Sequence, residues 1–272
     1  MVERTVDFDL SFAQRLADEA AAVSLSYFRR ALRSWSKADG SLATEADVAV
    51  EDALRSRLGR DRSGDAVLGE ERGQTGSGAR RWIIDGIDGT ADFATGRPDW
   101  GTLIALEVDG RVVCGVCDQP AHNRRYWATR GAGAFCSHGS SHTHSALRVS
   151  TVGTLSASRS YVPPRQWLPG ERARRIAALV CEATKQEPHI DHPALQVAAG
   201  GYELAVFLVV GPWDVAAPAL IVEEAGGRFT DLEGRSDLTS GTAVFSNGLI
   251  HEATLKLMSQ ASAGPECNTS TA

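Results

Sequence analysis

Acidic side chains stand at the ends of three separate apolar segments of this 272-residue chain. Glu70 and Glu71 follow the run AVLG, and Asp85 and Asp88 lie in the segment WIIDGIDGT. Asp214 lies near the start of a later apolar stretch, PWDVAAPALIV. A scaffold can direct several carboxylates at one point when they stand at strand ends and helix starts rather than on solvated helix faces. These residues form the candidate reactive centre.

The spacing of Asp85 and Asp88 allows both carboxylates to face one centre, with the Ile87 carbonyl between them. Oxygen-only ligands suit a hard cation, and partly hydrated Mg²⁺ is the natural choice. Clustered carboxylates alone would repel a phosphate, whereas two divalent cations would cancel their charge and create an anion site. Paired cations can also activate a water and stabilise a leaving oxygen. The sequence therefore predicts Mg²⁺-dependent hydrolysis of a phosphate monoester.

Each acidic position also has a simpler interpretation. Asp214 could be an ordinary helix N-cap, Glu70 could be a surface acid, and Asp85 with the glycine after it could form a plain turn. Taken singly, these interpretations are as good as a metal site. Their joint occurrence in this order favours the metal site.

Composition excludes several classes of protein. Hydrophobic residues make up 43% and charged residues 23%, as in ordinary globular proteins. The net charge of −6 argues against a nucleic-acid partner. No apolar run approaches the roughly 20 residues that span a bilayer, so no membrane association is expected. The N-terminus has no signal-peptide pattern, and five cysteines without scaffold-like spacing indicate a reducing, cytoplasmic location.

Two further clusters could carry chemistry but have structural interpretations. Cys114 and Cys117 have redox-like spacing, yet VVCGVCDQP is typical of a strand, and no second pair follows. His138, His142 and His144 could bind a metal, but their Gly/Ser-rich setting favours a solvated loop.

Hydrophobic periodicity predicts alternating helices and strands, with a layered α/β or α+β arrangement. Thr44 and Asp47 form a capping-box-like helix start, and Asp109 with Gly110 predicts a hairpin turn between apolar runs. The predicted helices cover residues 11–34, 44–58, 171–184, 212–227 and 251–260, and the predicted strands cover 66–71, 80–85, 102–108, 111–120, 124–129, 155–161, 227–234 and 242–247. We expect an N-terminal half over residues 1–150, a C-terminal half over 151–262 and a disordered tail over 263–272.

Four motifs in order resemble the inositol monophosphatase superfamily. They are TEAD at 44–47, preceded by Lys37, GEE at 69–71, DGIDGT at 85–90 and WDVAAPALIVEEAGG at 213–227. The similarity covers roughly half to two-thirds of the chain. It implies a layered α-β-α-β-α sandwich, of the type shared with fructose-1,6-bisphosphatase, and a Mg²⁺-dependent phosphatase that is usually a homodimer.

The resemblance also implies roles for individual residues. Metal ligands would be Glu70, Asp85, the Ile87 carbonyl, Asp88 and Asp214, holding two or three Mg²⁺ per active site. Thr90, polarised by Asp47, would orient the attacking water, with Glu70 close to it. The Gly89 and Thr90 backbone N–H groups would hold the phosphate at a helix N-terminus, beside Asp88 and Asp214.

Within the superfamily, the metal-binding half resembles bacterial histidinol-phosphate phosphatases most. Gly86 replaces the usual proline of the motif, and Asp92 stands where asparagine is common. Phe207 stands seven residues before Asp214, where the family often has an acid that contacts the substrate. Histidinol phosphate is therefore the first expectation for the substrate. Inositol phosphate is the second, and a sugar or nucleoside phosphate of a specialised pathway is the third.

A cationic substrate such as histidinol phosphate needs an anionic partner away from the metals. Asp191 in HIDHP or Glu203 in GGYEL could supply it, because an unpaired buried ammonium is costly. The alternative is that Asp191 is only a loop acid.

Two other classes of protein fit the sequence less well. A haloacid-dehalogenase-type phosphatase needs D-x-D-G-T, and Gly86 stands where its nucleophile would be. A non-catalytic binding protein with this fold is disfavoured because all four metal carboxylates are present.

Overall fold

The computed structural model describes residues 2–139, 143–186 and 191–261. Its α-helices are α1 (Val2–Tyr27), α2 (Glu45–Asp61), α3 (Thr90–Ala94), α4 (Gly170–Ala183), α5 (Pro193–Ala198), α6 (Pro212–Glu224) and α7 (His251–Ser259). None of these helices has the length and apolar composition required to cross a membrane.

The strands fall into two large sheets and one small hairpin. They are β1 (Ser34–Ser36), β2 (Leu42–Thr44), β3 (Ala66–Gly69), β4 (Gly73–Thr75), β5 (Arg80–Asp88), β6 (Gly101–Val108), β7 (Arg111–Gln119), β8 (Arg124–Thr129), β9 (Gly133–His138), β10 (His144–Ala146), β11 (Arg159–Tyr161), β12 (Lys185–Gln186), β13 (Leu204–Phe207), β14 (Arg228–Thr230) and β15 (Ala243–Ser246).

The first large sheet has eight strands in the order β10-β9-β8-β7-β6-β5-β3-β4. Only β3 and β5 pair in parallel, so both run toward the same edge of the sheet. The hairpin between β6 and β7 turns at Asp109 and Gly110, which have φ angles of 50° and 76°. Two positive φ angles match the tight turn that an Asp-Gly pair favours, which confirms the predicted hairpin.

The second large sheet has five strands in the order β12-β11-β13-β15-β14. Helices α1 and α2 pack on one face of the eight-stranded sheet, while α6 contacts its other face and also β14 and β15. A third apolar cluster joins α4 and α7 to β13 and β15. The layers therefore alternate as α-β-α-β-α, and the predicted fold class is confirmed.

One apolar cluster crosses the middle of the molecule. It joins Ile83 and Leu103 of the first sheet to Ala205 and Phe245 of the second, with Leu220 of α6 among them. The two halves share this core, and a division near residue 150 stays a prediction.

Helix α1 differs from its prediction at both ends. It begins at Val2 and ends at Tyr27 instead of covering residues 11–34. Arg29 adopts a left-handed φ of 61°, which stops the helix, and Trp35 then pairs with Ala43 in a short hairpin. The hydrophobic spacing typical of a helix extends to residue 34, although the structure ends the helix at Tyr27 and begins a strand at Ser34.

Other segments also differ from expectation. Residues 72–79 were assigned to no strand but contain β4, which pairs with β3, and residues 155–157 of the predicted strand 155–161 form a short 3₁₀ helix instead. Strand β5 continues through Asp88, with an irregular register between Asp85 and Asp88 where a turn was expected. His138 and His144 lie in paired strands and not in a loop, although both are exposed. His142 and the predicted disordered tail at 263–272 lie outside the described residues.

Candidate metal and phosphate site

Three carboxylates converge at one point of the structure. Oxygen atoms of Glu70, Asp85 and Asp214 all lie within 4.8 Å of one another. Asp88 lines the same cavity and lies outside this group of three. These are the four acids that the sequence selected as metal ligands. The structure brings them to one cavity from the end of β3, from β5 and from α6.

Parallel pairing of β3 and β5 explains how the first two acids meet. Gly69 pairs with Ile84, so Glu70, which follows β3, lies beside Asp85 of the neighbouring strand β5. Asp85 Oδ1 accepts a hydrogen bond from the Ile87 backbone N–H at 3.0 Å, which orients the carboxylate.

Gly86 allows the strand between Asp85 and Asp88 to lie directly against α2. A Cβ atom there would stand 3.2 Å from the Asp47 carbonyl oxygen and 3.3 Å from the Val50 Cβ. The sequence allowed a plain turn at Asp85 and this glycine. The structure shows a buried strand residue instead, whose carbonyl accepts a hydrogen bond from Thr102 Oγ1 at 2.8 Å.

Asp214 is supplied by the first turn of α6. It is the third residue of the helix rather than the N-cap, which is Gly211. Its Oδ2 accepts a hydrogen bond from the Gly211 N–H at 2.6 Å, so the helix start fixes the carboxylate. Because α6 packs between the two large sheets, this carboxylate reaches the carboxylates of the first sheet.

The carboxylates repel one another strongly in the absence of a cation. Burial raises the pKa of Asp85 well above its usual value, and the charges of Glu70, Asp88 and Asp214 raise it further. Burial and the charge of Asp88 likewise raise the pKa of Asp214. An all-oxygen site in which the carboxylates resist ionisation fits a hard cation, whose charge would remove the repulsion.

Lys37 contacts the outer side of this cluster. Its Nζ donates hydrogen bonds to Glu70 Oε1 at 2.6 Å and to Glu71 Oε1 at 2.5 Å. Burial alone would lower the pKa of Lys37, but these two bonds outweigh it and raise the pKa. Burial still raises the pKa of Glu70 despite the ammonium.

Thr90 and Asp47 form the hydrogen-bonded pair that the sequence predicted. Thr90 Oγ1 lies 2.7 Å from Asp47 Oδ1 and 3.2 Å from the Ile87 carbonyl oxygen. Asp47 Oδ2 accepts hydrogen bonds from the Thr44 N–H and hydroxyl at 2.8 and 2.5 Å, which confirms the capping box. Since Asp47 only accepts, the Thr90 proton points to it, and the Thr90 lone pairs face elsewhere.

Gly89 is required by the backbone at the start of α3. Its φ of 84° is left-handed, and a Cβ would stand 2.8 Å from the Asp99 carbonyl oxygen. Thr90 begins α3, so the predicted position of the Gly89 and Thr90 N–H groups at a helix start is confirmed.

Glu51 supports the site and was missed in the sequence. Its buried carboxylate accepts hydrogen bonds from the Glu71 and Arg72 N–H groups at 2.7 and 3.0 Å, and from Arg55 Nε at 2.6 Å. These bonds tie the segment after β3, which carries Glu70, to helix α2. The sequence signal was a glutamate one helical turn after Asp47, on the buried face.

The acids line a cavity of about 640 Å³. Its wall also contains residues that sequence reasoning did not select, namely Arg97, Asp99, Gln119, Tyr161, Trp167, His192 and Val209, together with Asp92 and Phe207, which were noted only as departures from the family. Their positions depend on tertiary contacts, which local sequence patterns do not record.

Asp191 lies behind this cavity rather than in its wall. It is buried and accepts hydrogen bonds from Arg124 Nη1 at 2.7 Å, Gln196 Nε2 at 2.9 Å and Tyr126 OH at 3.2 Å. Its Oδ1 also contacts Gln119 Nε2. The expectation of a carboxylate waiting for a substrate ammonium differs from the structure, because Arg124 already supplies the positive charge.

Glu203 is likewise engaged inside the protein. Arg159 Nη2 lies 2.8 Å from Glu203 Oε1, and the Arg159 N–H lies 2.5 Å from Glu203 Oε2. Burial would raise the pKa of Glu203, but the hydrogen bonds from Arg159 hold it below its usual value. Glu203 is not among the residues that line the cavity.

Cys114 and Cys117 lie on opposite faces of β7, in different apolar clusters. Burial raises the pKa of Cys114 to about 12, so its thiol stays protonated. The strand interpretation of this pair is confirmed.

Comparison with known proteins identifies the family to which this site belongs. The sequence pattern of the inositol monophosphatase family matches residues 6–263. The chain belongs to this family. It is therefore a phosphatase, a hydrolase of phosphoric monoesters, and the family is metal-dependent.

Individual relatives cover almost the whole chain. The histidinol-phosphatase of Mycobacterium tuberculosis is 43% identical over 252 residues, which are 91% of this chain and 96% of that protein. The histidinol-phosphatase of Streptomyces coelicolor is 40% identical over 259 residues, 93% and 97% of the two chains. The solved structure of the Thermotoga maritima IMPase has a TM-score of 0.79 at 27% identity, covering 93% of this chain and 98% of that one.

Proposed function

We propose that this family member is a Mg²⁺-dependent phosphatase of histidinol phosphate. The observation that carries the metal-dependent chemistry is the convergence of Glu70, Asp85 and Asp214 beside the Thr90–Asp47 pair. Support for the substrate comes from the two relatives named histidinol-phosphatase. Inositol phosphate is the second candidate, because the family and the solved relative carry that name.

The proposed metal ligands are Glu70, Asp85, Asp88, Asp214 and the Ile87 carbonyl oxygen. All are hard oxygen donors, which suits Mg²⁺, and their combined negative charge suits two or three cations per site. When bound, the cations would supply charge neutralisation and Lewis acidity toward the phosphate oxygens.

The chain's own residues then orient the water that hydrolyses the ester. Thr90 Oγ1 donates its proton to Asp47, so its lone pairs can accept a hydrogen bond from a water. Glu70, which lines the same cavity, would accept one proton of the water as the water oxygen bonds to phosphorus. The ester P–O bond breaks, and the leaving alkoxide would take that proton back from Glu70 to depart as the alcohol, while the hydroxyl stays on the phosphate. The Gly89 and Thr90 N–H groups would hold the phosphate oxygens.

Phosphate release from a panel of esters tests this proposal. The panel contains histidinol phosphate, inositol 1-phosphate and a neutral sugar phosphate, each assayed with Mg²⁺, with Ca²⁺ and after exhaustive chelation. We expect histidinol phosphate to be hydrolysed best with Mg²⁺ and poorly with Ca²⁺, which takes more ligands at longer distances. Phosphate release that survives chelation would exclude the metal mechanism. A preference of more than about tenfold for the sugar phosphate would exclude only the histidinol assignment.

Thr90→Ser provides a matched control for Thr90→Ala. The serine keeps the hydroxyl that bonds Asp47, so we expect it to retain most of the activity. The alanine variant should lose activity by about 10²-fold or more, since the water loses its orienting partner. Equal activity in the two variants would remove Thr90 from the mechanism.

We further propose that the enzyme is a homodimer in the cytoplasm. The family resemblance supports the homodimer. The five cysteines, whose spacing does not resemble a disulfide framework, support the cytoplasmic location. Light scattering on the full chain would measure the mass directly, and a monomer at micromolar concentration would contradict the dimer.

A further inference from the structure

The cavity has an aromatic wall formed by Tyr161, His192 and Phe207. The Phe207 ring lies 5.7 Å from the Tyr161 ring, with an angle of 44° between the planes. The His192 ring lies 5.9 Å from Phe207 at 33°. The Tyr161 and His192 rings therefore both lie against Phe207.

Backbone pairing and core packing hold this aromatic wall in place. Tyr161 pairs with Ala205 on the parallel neighbouring strand, two residues before Phe207, so both side chains point to the same face. Phe245 packs edge-on against the inner side of Phe207 at 5.7 Å and 87°. A ring supported on three sides is a preformed surface for a ligand.

One end of the aromatic wall lies beside Asp88, one of the proposed metal ligands. His192 Nε2 lies 3.8 Å from Asp88 Oδ2. Tyr161 lines the same cavity as Asp88 and Asp92. A group esterified to a phosphate at the metal site would therefore lie within reach of these rings.

We propose that the aromatic wall binds a planar aromatic or heteroaromatic ring in the alcohol part of the substrate. This inference rests on the proposed phosphatase function and names the substrate class of the same site. Flat rings gain offset or edge contacts with Phe207 and Tyr161. A polyol would instead place hydroxyl groups against apolar carbon, where they lose hydrogen-bond partners.

Two neutral esters of equal size test the proposal. 2-Phenylethyl phosphate and 2-cyclohexylethyl phosphate have the same chain and the same number of carbons, and they differ in the aromaticity of the ring. We expect kcat/KM to favour the phenyl ester by about three- to tenfold, mainly through KM. The ratio between two substrates cancels any difference in the amount of active enzyme.

Phe207→Leu and Tyr161→Leu should each reduce this ratio toward one. Phe135→Leu is the matched control, because Phe135 contacts Trp127 and His144 and is not among the residues that line the cavity. The control should keep the wild-type ratio. A wild-type ratio near one, or a ratio preserved in both Phe207→Leu and Tyr161→Leu, would overturn the proposal while the phosphatase function stands. If Mg²⁺-dependent release fails for every ester, histidinol phosphate included, the proposed function and this inference fall together.

Discussion

Replacing Asp85 by asparagine removes the negative charge of the side chain while keeping its size and shape. Asparagine Oδ1 can keep the hydrogen bond from the Ile87 N–H at 3.0 Å, so the strand should keep its course. The variant removes one of the three carboxylates whose oxygens lie within 4.8 Å of one another. We expect turnover to be abolished, because one of the proposed metal-binding carboxylates is lost.

The effect on stability without metal has the opposite sign. Two unit charges 4.8 Å apart repel by about 3 kcal/mol at an effective dielectric constant of about 20. Asp85 faces two such partners, but protonation and Lys37 relieve part of that repulsion, so we expect a gain of about 1–3 kcal/mol. For a chain of this size this corresponds to a rise in Tm of about 2–10 °C.

The pH dependence follows from the raised pKa of Asp85. A group whose folded pKa is raised contributes stability that is complete below its unfolded pKa, about 4, and is lost as pH rises through the folded value. Asparagine does not titrate, so the advantage of the variant in chelator should grow as pH rises from about 4.

Thermal unfolding in chelator and in Mg²⁺ measures both effects. In chelator the variant should melt above the wild type, whereas in Mg²⁺ the order should reverse, since only the wild type binds the cation tightly. Asp52→Asn on the exposed side of α2 is the control for removal of an acid. Activity above about a tenth of wild type would be too much for a lost metal ligand. A variant less stable than wild type in chelator would refute the repulsion argument.

Three other perturbations have defined outcomes. Gly89→Ala should lose most activity and lower Tm, because its Cβ would stand 2.8 Å from the Asp99 carbonyl oxygen at a φ of 84°; wild-type Tm would contradict this. Asp191→Asn should destabilise the fold by about 2 kcal/mol in chemical unfolding by leaving Arg124 without its carboxylate, with KM for histidinol phosphate within about twofold; a strong rise in KM would restore Asp191 as a substrate partner. Burial lowers the pKa of His251 to about 4, so wild type should lose stability as pH falls from about 6.5 to about 4, and His251→Gln should lose less over that range.

Local signals in the sequence predicted the reactive segments well. Thr44 with Asp47 and the Asp109 turn each depend on residues a few positions apart, so neighbouring residue types were enough to predict their geometry. The DGIDGT segment was selected for its acids, although its backbone continues the strand where a turn was expected. The helix starts at Thr90 and near Asp214 follow the same logic. The cluster of Glu70, Asp85 and Asp214 could be predicted because each acid lies in or directly beside such a local element.

Contacts between distant segments could not be predicted in this way. Asp191 meets Arg124 across 67 positions of sequence, and nothing in HIDHP signals that pairing. The end of α1 at Tyr27 depends on a hairpin between Trp35 and Ala43, which overrides helical periodicity. Phe207 was recognised as a departure from the family, but its contacts with the rings of Tyr161, His192 and Phe245 depend on tertiary packing.

Helix α2 gives the active centre a single rigid support. Asp47 and Glu51 stand one turn apart on its buried face, and they hold Thr90 and the segment after β3 respectively. Inserting one residue between them would rotate the second carboxylate by about 100°, away from the strand it secures. The distance between the Thr90 hydroxyl and Glu70, a proposed metal ligand, is thus set by helical pitch. The four-residue interval within α2 therefore leaves no room for an insertion or a deletion.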